Sequence, residues 1–536
     1  MKKNQRPPQN NQPPARPTAT SYIETDFDDY DIRSPRMTYR DDLAEDSKST
    51  PTALKTFAWI FTILFFLSAG LMTFLVFRFN VLPTTLRLVL TGVLVGLFLI
   101  FLLLAIRGNR KKGAAITALV LAFLFTLVTG AANYYLQAGI RTIQHLSSAT
   151  MKTNTVSLVV MKNSPILSLA DMEGKTVTAP TVTDKETIDA YLNNLHERTA
   201  MVLTPQEADS YNASADALYT GEADAMIMSG AMVSSVQESH PNFLEETRII
   251  DSFDLQIETV DVKKDVDTSQ TSFNIYISGI DTYGSISSVS NSDVNIVMTV
   301  NPNTRQMLLT TIPRDTYMPI AGGGGNRSDK LTHAGIYGVE SSIGSIENFL
   351  DIPINYYARV NFSSLTRIVD VLGGIEVDNP VAFSTVDYQF PQGTIQLDGA
   401  KALSFSRERH NLAGGDFDRG RNQQRVIIGI FKKLMSFDSL TNFQEILDNI
   451  SDSLQTNMPP EAMMGFANTI MEIGGDWQTD TIAVEGRGNS ALRSPLIPDR
   501  DIYLMEPYPE SVQKVKDQIH SVMQGEQIPG DQKDRY

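Results

Sequence analysis

The chain has no cysteine, which removes disulfide frameworks, thiolate nucleophiles and cysteine-ligated metals from consideration. Its six histidines are scattered without an H-x-x-x-H pair, so a zinc site of the metalloprotease type has no ligands to build on. Positive charge is short as well: 45 Lys and Arg against 61 Asp and Glu leave a net charge of −16. That balance argues against nucleic acid as a partner and requires any phosphate binding to be local. An oxygen-ligated divalent ion remains open. At 536 residues the chain is long enough for two or three domains.

What is present begins with a polar tail. Residues 1–54 are rich in Pro, Asn, Gln and Asp and carry little apolar periodicity, which predicts disorder. Residues 55–137 then hold three apolar runs, Thr56 to Phe77, Leu88 to Ile106 and Ala114 to Leu136, each close to the ~20 residues that cross a bilayer as a helix. The loop "RGNRKK", Arg107 to Lys112, is strongly basic, whereas Phe77 to Arg87 carries two arginines. The basic loop and the tail are therefore expected in the cytoplasm, and everything after about residue 140 outside the cell. The implied localisation is a multi-pass cell-membrane protein in contact with membrane lipid, its large C-terminal part without cytosolic ATP.

Residues 150–258 alternate short apolar and amphipathic stretches and predict a small α/β module. "LADMEGKTVTAP" and "ALYTGEADAMIM" loosely resemble one lobe of extracytoplasmic solute-binding proteins; the reading preferred is a spacer or partner-docking domain. A polar linker, 260–272, leads into a domain spanning 273–520. There "FNIYISGID" reads as a strand ending at Asp281, "SDVNIVMTVNP" as one starting beside Asp293, and "RQMLLTTIPRDTYMPI" as a third ending in Arg314 and Asp315. Helical patterns follow around Ile343 to Leu350, Leu365 to Val371, Val426 to Met435 and Asn442 to Leu454. Strands interleaved with helices predict a layered α/β/α domain with binding residues at strand ends and adjoining loops.

The most charged and Gly-broken stretch is "SFSRERHNLAGGDFDRGRNQQR", Ser404 to Arg425. If Leu403 to Arg409 is extended, Arg407 and Arg409 leave one face of a strand as a pair of guanidinium forks. Gly414 and Gly415 permit a tight reversal, and Arg419, Gln423 and Arg425 open a helix-like run. Planar forks beside a helix N-terminus suit a multiply charged phosphate. A solvated, salt-bridged loop is the other reading of the stretch taken alone.

"SGID", "TIPRDTYMPI", "KLTHAGIYG", "NYYARVNF", "GGIEV", "LDGAKALSFSRERH" and "DFDRGRNQQRVI", in this order, resemble the LytR-CpsA-Psr family of cell-wall ligases through about 273–430. Three spans and an inserted module resemble its capsule-associated branch. The resemblance implies a transferase that takes a polyprenyl-pyrophosphate-linked glycopolymer, capsular polysaccharide or teichoic-acid-like, onto peptidoglycan and releases a prenyl phosphate, alongside other capsule-assembly proteins. It assigns Arg314, Arg407, Arg409 and Arg419, with Gln423 as a neutral donor, to the pyrophosphate. It assigns Asp281 and Asp293 to Mg²⁺ or Mn²⁺. Many members carry an arginine where this chain has Asn422, and Arg421 or Arg425 could compensate.

Several roles stay open at this level. Asp315, Asp416 and Asp418 either orient the arginines or serve as general base. His333 reads as a structural hydrogen-bonding residue, and "AGGGGNRSDK", without a Gly-Lys-Ser/Thr ending, as a flexible lid rather than a nucleotide loop. Three other functions use parts of the same pattern: a prenyl-pyrophosphate hydrolase, a membrane regulator of capsule synthesis, and a non-catalytic glycopolymer binder. The regulator would need a cytoplasmic DNA-binding unit, for which a Pro-rich tail and a short basic loop are poor material.

Overall fold

The computed structural model describes residues 50–146, 151–280, 286, 288–434, 436, 446, 449–450, 453–473, 477–498 and 500–526. The tail expected over 1–54 and the helix expected over Asn442 to Leu454 lie largely outside these. Three long apolar helices come first: α1 (Thr52–Arg78), α2 (Thr84–Gly108) and α3 (Lys112–Leu146). Pro51 and Pro83 stand at the starts of α1 and α2, where a missing N–H breaks no intrahelical bond. Small residues Ala58, Ala105 and Ala118 let the three backbones approach, and Phe65, Leu94, Phe101 and Ala122 fill the space beside them. Ser68 Oγ donates to Thr129 Oγ1 at 2.8 Å, and Asn133 Nδ2 donates to the Ser68 carbonyl at 2.9 Å, tying α1 to α3. Outward side chains such as Phe74, Leu103 and Val128 are exposed, as lipid-facing positions are.

The third helix runs past the Leu136 end expected from hydropathy. Nothing in "QAGIRTIQHL" breaks a helix, so the backbone continues after the apolar run stops. At 35 residues α3 is about 50 Å long, roughly 20 Å more than the hydrocarbon thickness. It therefore also serves as a stalk leading to the next unit.

That unit is a mixed five-stranded sheet of order β3-β2-β4-β1-β5, built from β1 (Met151–Met161), β2 (Val177–Ala179), β3 (Gln206–Glu207), β4 (Ala225–Ser229) and β5 (Thr247–Glu258). Helices α4 (Lys185–Thr199) and α5 (Tyr211–Thr220) pack Ile188, Tyr191, Leu195 and Leu218 onto Val156, Leu158, Met226 and Ile227. The following helix α6 spans Val233–Ser239. The unit is docked on the next domain by several kinds of contact. Lys152 Nζ meets Glu340 Oε1 at 2.6 Å, Asp216 Oδ2 meets Arg500 Nη2 at 2.5 Å, and Val289 N–H donates to the Thr153 carbonyl at 2.9 Å. Ile336 and Leu496 of the next domain pack directly against the module's core.

The C-terminal domain is centred on a six-stranded sheet of order β16-β11-β6-β7-β8-β17: β6 (Phe273–Ile280), β7 (Ser292–Asn301), β8 (Gln306–Thr311), β11 (Tyr356–Asn361), β16 (Gln455–Thr456) and β17 (Gln478–Ala483). A small hairpin of β9 (Tyr317–Pro319) and β10 (Ser328–Lys330) lies beside it. The central strands are buried on both faces, which is why they read as continuous apolar runs. On one face Tyr276, Val297 and Leu308 meet Ile343, Ile346 and Leu350 of α7 (Val339–Leu350) and Val515, Ile519 and Val522 of α12 (Pro509–Gln524). On the other, Ile275, Met298 and Leu309 meet Phe431 of α10 (Asp416–Leu434) and Ala462 of α11 (Pro460–Ile473). The result is the expected α/β/α layering.

Two further helices, α8 (Phe362–Val371) and α9 (Gly399–Arg407), complete that second layer with the ribbon of β12 (Ile375–Asn379) and β15 (Gly393–Leu397), joined by the short pair β13 (Phe383–Ser384) and β14 (Gln389–Phe390). Phe383, Phe390 and Phe405 form a ring cluster with centroids 4.9 to 5.3 Å apart. This cluster sets where α9, and so Arg407, is held.

Candidate active site

Asp293 is the second residue of β7, and Arg314 lies in the turn that follows β8, the neighbouring strand. Arg314 Nη1 donates to Asp293 Oδ1 at 3.1 Å, and Thr332 Oγ1 donates to the same oxygen at 3.1 Å. Arg314 Nε is buried without a hydrogen-bond partner, 3.8 Å from Asp315 Oδ2. Burial opposes the Arg314 charge, but Asp293 and Asp315 outweigh it and hold its ionisation above the ordinary arginine range. Lys330 Nζ, itself buried, pairs with Asp315 Oδ1 at 3.1 Å. The Thr332 N–H donates to the Arg314 carbonyl at 2.9 Å. Lys330 and Thr332 thus brace the Arg314 turn through side chain and backbone together. Both stand in "SDKLTHAG", a stretch read from sequence partly as a lid; their partners, Asp315 in the turn after β8 and Asp293 in β7, lie in other segments, so the pairing carries no local signal.

The arginine-rich stretch differs from its expected form. Leu403 to Arg409 is not a strand: Gly399–Arg407 is helical, and Glu408 is the extended residue at its end. The Asp398 carboxylate accepts from Lys401 N–H at 2.9 Å as N-cap, and Ala402 and Phe405 face the ring cluster at helical spacing. Arg407 and Arg409 therefore do not leave one strand face as a pair. Arg407 lies over the Phe362 ring, 4.1 Å from its centroid, in a cation–π stack. Arg409 is exposed, its Nε 3.3 Å from His410 Nε2.

The reversal at Gly414 and Gly415 is present, with Gly415 at φ +55°, a left-handed conformation suited to glycine. The Gly414 N–H donates to Asp418 Oδ2 at 2.7 Å, and α10 begins at Asp416. Arg419 Nη2 pairs with Asp416 Oδ1 at 2.5 Å and Arg421 with Asp418 at 2.8 Å. Burial holds Arg419 below the ordinary arginine range, Asp416 offsets that only in part, and the nearby Arg314 charge adds to the depression. Asn422 is buried and donates to the Phe405 carbonyl at 3.3 Å, so that position faces α9. Of the residues expected to compensate for it, Arg421 lines the cleft described below, and Arg425 Nη1 donates to Asn422 Oδ1 at 2.9 Å. Gln424, unmarked in the sequence, donates to the Leu309 and Ile482 carbonyls, each at 3.0 Å, and pins α10 to two strands of the central sheet.

Two spaces meet here. A polar cleft is lined by Asp293, Arg314, Asp416, Arg419, Arg421 and Gln423. An apolar pocket of about 280 Å³ runs between the sheet and α8, α9 and α10, past Ile277, Met298, Phe362, Leu403, Val426 and Ile430. Its charged and amide lining includes Asp293, Arg407 and Gln423. Asp293 and Gln423 line both spaces, so the cationic cleft opens onto the apolar one. Arg409 lines neither. A larger cavity, about 700 Å³, lies between the α1–α2 connection and α11, and holds none of these residues.

The loop expected to act as a lid is pinned: the Ala321 N–H donates to Ser345 Oγ at 2.9 Å, Gly322 N–H to Asn326 Oδ1 at 2.9 Å, and Gly323 lies so close to the Tyr337 ring that a Cβ would stand 2.2 Å from it. None of its residues lines either space of the site. His333 is buried with Nδ1 3.0 Å from Asp329 Oδ1, without the alignment of a full hydrogen bond, in a structural position. Asp281 lies outside the described residues; β6 ends at Ile280, which pairs with Ser292 next to Asp293. Among the described residues no three His, Asp or Glu side chains converge on one point. One Asp293 oxygen accepts from Arg314 and Thr332, and the other meets no donor among the described residues. A hard carboxylate oxygen beside a cleft lined by arginines suits Mg²⁺, which keeps most of its ligands as water or phosphate.

Comparison with known proteins gives two family-model matches and several similar proteins. The model of the LytR_cpsA_psr family matches residues 233–494. A second family model, DNA polymerase processivity factor, matches residues 111–228, a span running from α3 into the five-stranded module without coinciding with either. A polyisoprenyl-teichoic acid–peptidoglycan teichoic acid transferase TagU of Enterococcus faecalis is 40% identical over 222 residues, 40% of this chain and 72% of that protein. The TagU transferase of Halalkalibacterium halodurans is 34% identical over 244 residues, 45% of this chain and 79% of that protein. The crystal structure of TagU from B. subtilis is 30% identical, with 48% of this chain and 100% of that one covered and a TM-score of 0.39.

Proposed function

The chain belongs to the LytR-CpsA-Psr family, and from that premise we propose that it is a membrane-anchored extracellular transferase that moves a polyprenyl-pyrophosphate-linked glycopolymer onto peptidoglycan. The polymer we assign is capsular polysaccharide or a teichoic-acid-like chain. One observation carries the reading: Asp293 and Gln423 line both a cleft of half-buried arginines and an apolar pocket. A prenyl pyrophosphate has the same two parts, joined in the same way. The Arg314 charge adds to the depression of Arg419, and a bound diphosphate would relieve that repulsion.

In this proposal Arg314, Arg419 and Arg407 bind the diphosphate, and Gln423 donates a neutral hydrogen bond where head meets tail. A peptidoglycan hydroxyl oxygen attacks the phosphorus that carries the glycan. The P–O bond to the bridging oxygen breaks, and prenyl phosphate leaves with that oxygen and its electron pair. The hydroxyl proton passes to a base; Asp416, paired with Arg419, lines the cleft, while Asp315 is held by Lys330 and Asp418 accepts from the Gly414 N–H and pairs with Arg421. Mg²⁺ held by Asp293 with Asp281 would supply further charge neutralisation at the phosphates.

The orientation in the membrane is supported by contacts between the α1–α2 connection and α11: Arg78 pairs with Glu461 at 2.6 Å, Asn468 donates to the Asn80 carbonyl, and Thr84 N–H donates to Glu472. That connection thus shares a side with the C-terminal domain, and the basic loop Arg107 to Lys112 lies at the other helix ends. Basic loops stay in the cytoplasm. Organic extraction of the purified full chain tests the reading: prenyl phosphate or pyrophosphate lipid is expected to copurify, and to be lost in Arg314→Ala. Absence of any such lipid, together with failure to bind added prenyl pyrophosphate, counts against it.

A further inference from the structure

The segment between β17 and α12 carries two aromatic rings that the diphosphate site does not use. Among the described residues 273–526, the exposed large apolar side chains are Val381, Val386, Tyr503 and Tyr508. Tyr503 is 58% exposed, yet its neighbours Leu504 and Met505 are buried. The Met505 N–H donates to the Asp315 carbonyl at 2.8 Å, and the Leu504 carbonyl accepts from Asn489 N–H at 2.9 Å. Tyr503 is therefore carried on a held stretch of backbone. Its ring edge packs on Gly488, where a Cβ would stand 2.7 Å from Tyr503 Cε2, so the glycine makes room for it. The Met505 bond to Asp315 sets this segment beside the Arg314 turn, at the polar end of the cleft, and burial, then the Asp315 and Asp416 carboxylates, hold the Tyr503 phenol above the ordinary tyrosine range.

We propose that Tyr503 is the platform on which a sugar ring of the acceptor glycan stacks, bringing its hydroxyl to the Asp416 side of the cleft. The proposal rests on the transferase reading. The lipid tail of the donor has the apolar pocket and its diphosphate the arginines; a saccharide acceptor is left needing a partner beside Asp416. Sugar C–H bonds present a weakly positive face, and an aromatic ring presents a negative one. A rigid ring offers that contact with little side-chain freedom to lose.

The test uses the full chain in lipid nanodiscs, one prenyl-pyrophosphate glycan donor and soluble peptidoglycan fragments as acceptor, with donor cleavage by water measured separately without acceptor. For Tyr503→Ala the acceptor KM is expected to rise about tenfold with kcat changed less than about twofold. Donor cleavage without acceptor should be unchanged, and Tyr503→Phe should behave as wild type. An unchanged acceptor KM in Tyr503→Ala, a raised donor KM instead, or equal losses in the Phe and Ala variants would each overturn the platform while leaving the transferase reading intact. A wild-type chain that neither cleaves nor transfers the donor would sink both.

Discussion

Arg407 lies over Phe362, its Cζ 4.1 Å from the ring centroid, on the wall of the apolar pocket. The cation–π contact restrains the guanidinium beside the ring. Arg407→Lys keeps the charge and loses both the plane and the fork. Transfer is expected to fall by about 2–4 kcal/mol in transition-state terms, on the order of a hundredfold. Arg409→Lys, at an exposed position lining neither space, should change the rate by no more than about 0.5 kcal/mol, roughly twofold. Initial rates of the two variants, with melting curves as folding controls, make the comparison. Equal losses would return Arg409 to the site.

Asp293 should matter through charge. Asp293→Asn preserves an oxygen for Arg314 and Thr332 while removing the carboxylate, so the fold should hold and transfer should drop by about tenfold or more. Asp293→Ala additionally leaves Arg314, half-buried, short of its partner, and is expected to lower stability by about 1–3 kcal/mol. Denaturant midpoints together with rates at several Mg²⁺ concentrations check this. An Asn variant with full activity and unchanged Mg²⁺ dependence would remove Asp293 from the metal role.

Gln424 is a stability prediction. Its amide donates to two carbonyls of different strands, both at 3.0 Å. Gln424→Ala strips both bonds in a buried place, and should cost about 2–3 kcal/mol at roughly 1 kcal/mol per lost bond plus the unsatisfied carbonyls. Equilibrium unfolding of the variant measures it; a loss under about 0.5 kcal/mol would mean that α10 is held by packing alone.

These residues show how far the sequence could be read. β6, β7 and β8 were legible because strands buried on both faces must be apolar throughout, and the three lipid-length runs because water-free surroundings permit little else. The cleft residues Arg314, Arg419 and Gln423 were legible as donors crowded into motifs with a family resemblance. The conformation of Leu403 to Arg409 was misread, since Leu403, Phe405, Arg407 and Arg409 alternate like a strand. What decides it is packing of Phe405 against Phe383 and Phe390 on another ribbon, which local periodicity does not contain. The Phe362 partner of Arg407, the Lys330 brace on Asp315 and the Gln424 anchor are all pairs between distant segments, and each residue alone looks ordinary. The third helix ran long because hydropathy marks where lipid ends, not where a helix does.

Acid should unfasten one identifiable node. Burial pushes the Asp329 carboxyl up, but His333, Ser494 and the Lys330 N–H outweigh it and hold the group below its ordinary value of 3.8. A lowered native value means stability that is whole above that ordinary value and is lost as pH falls through the native one. Asp329→Asn should therefore lower the melting temperature at neutral pH, with the gap to wild type closing as pH drops below about 4. A gap that stays constant down to pH 3 would show that the charge of Asp329 contributes nothing.

The central claim is tested most directly by following both products of one reaction. The full chain in nanodiscs is given a prenyl-pyrophosphate-linked glycan and peptidoglycan, and glycan bound to peptidoglycan is counted against prenyl phosphate released. Equal amounts of the two are expected, with both abolished in Arg314→Ala and Arg419→Ala while melting curves show each variant still folded. Prenyl phosphate released without any glycan reaching peptidoglycan, or transfer that survives loss of both arginines, would contradict the account.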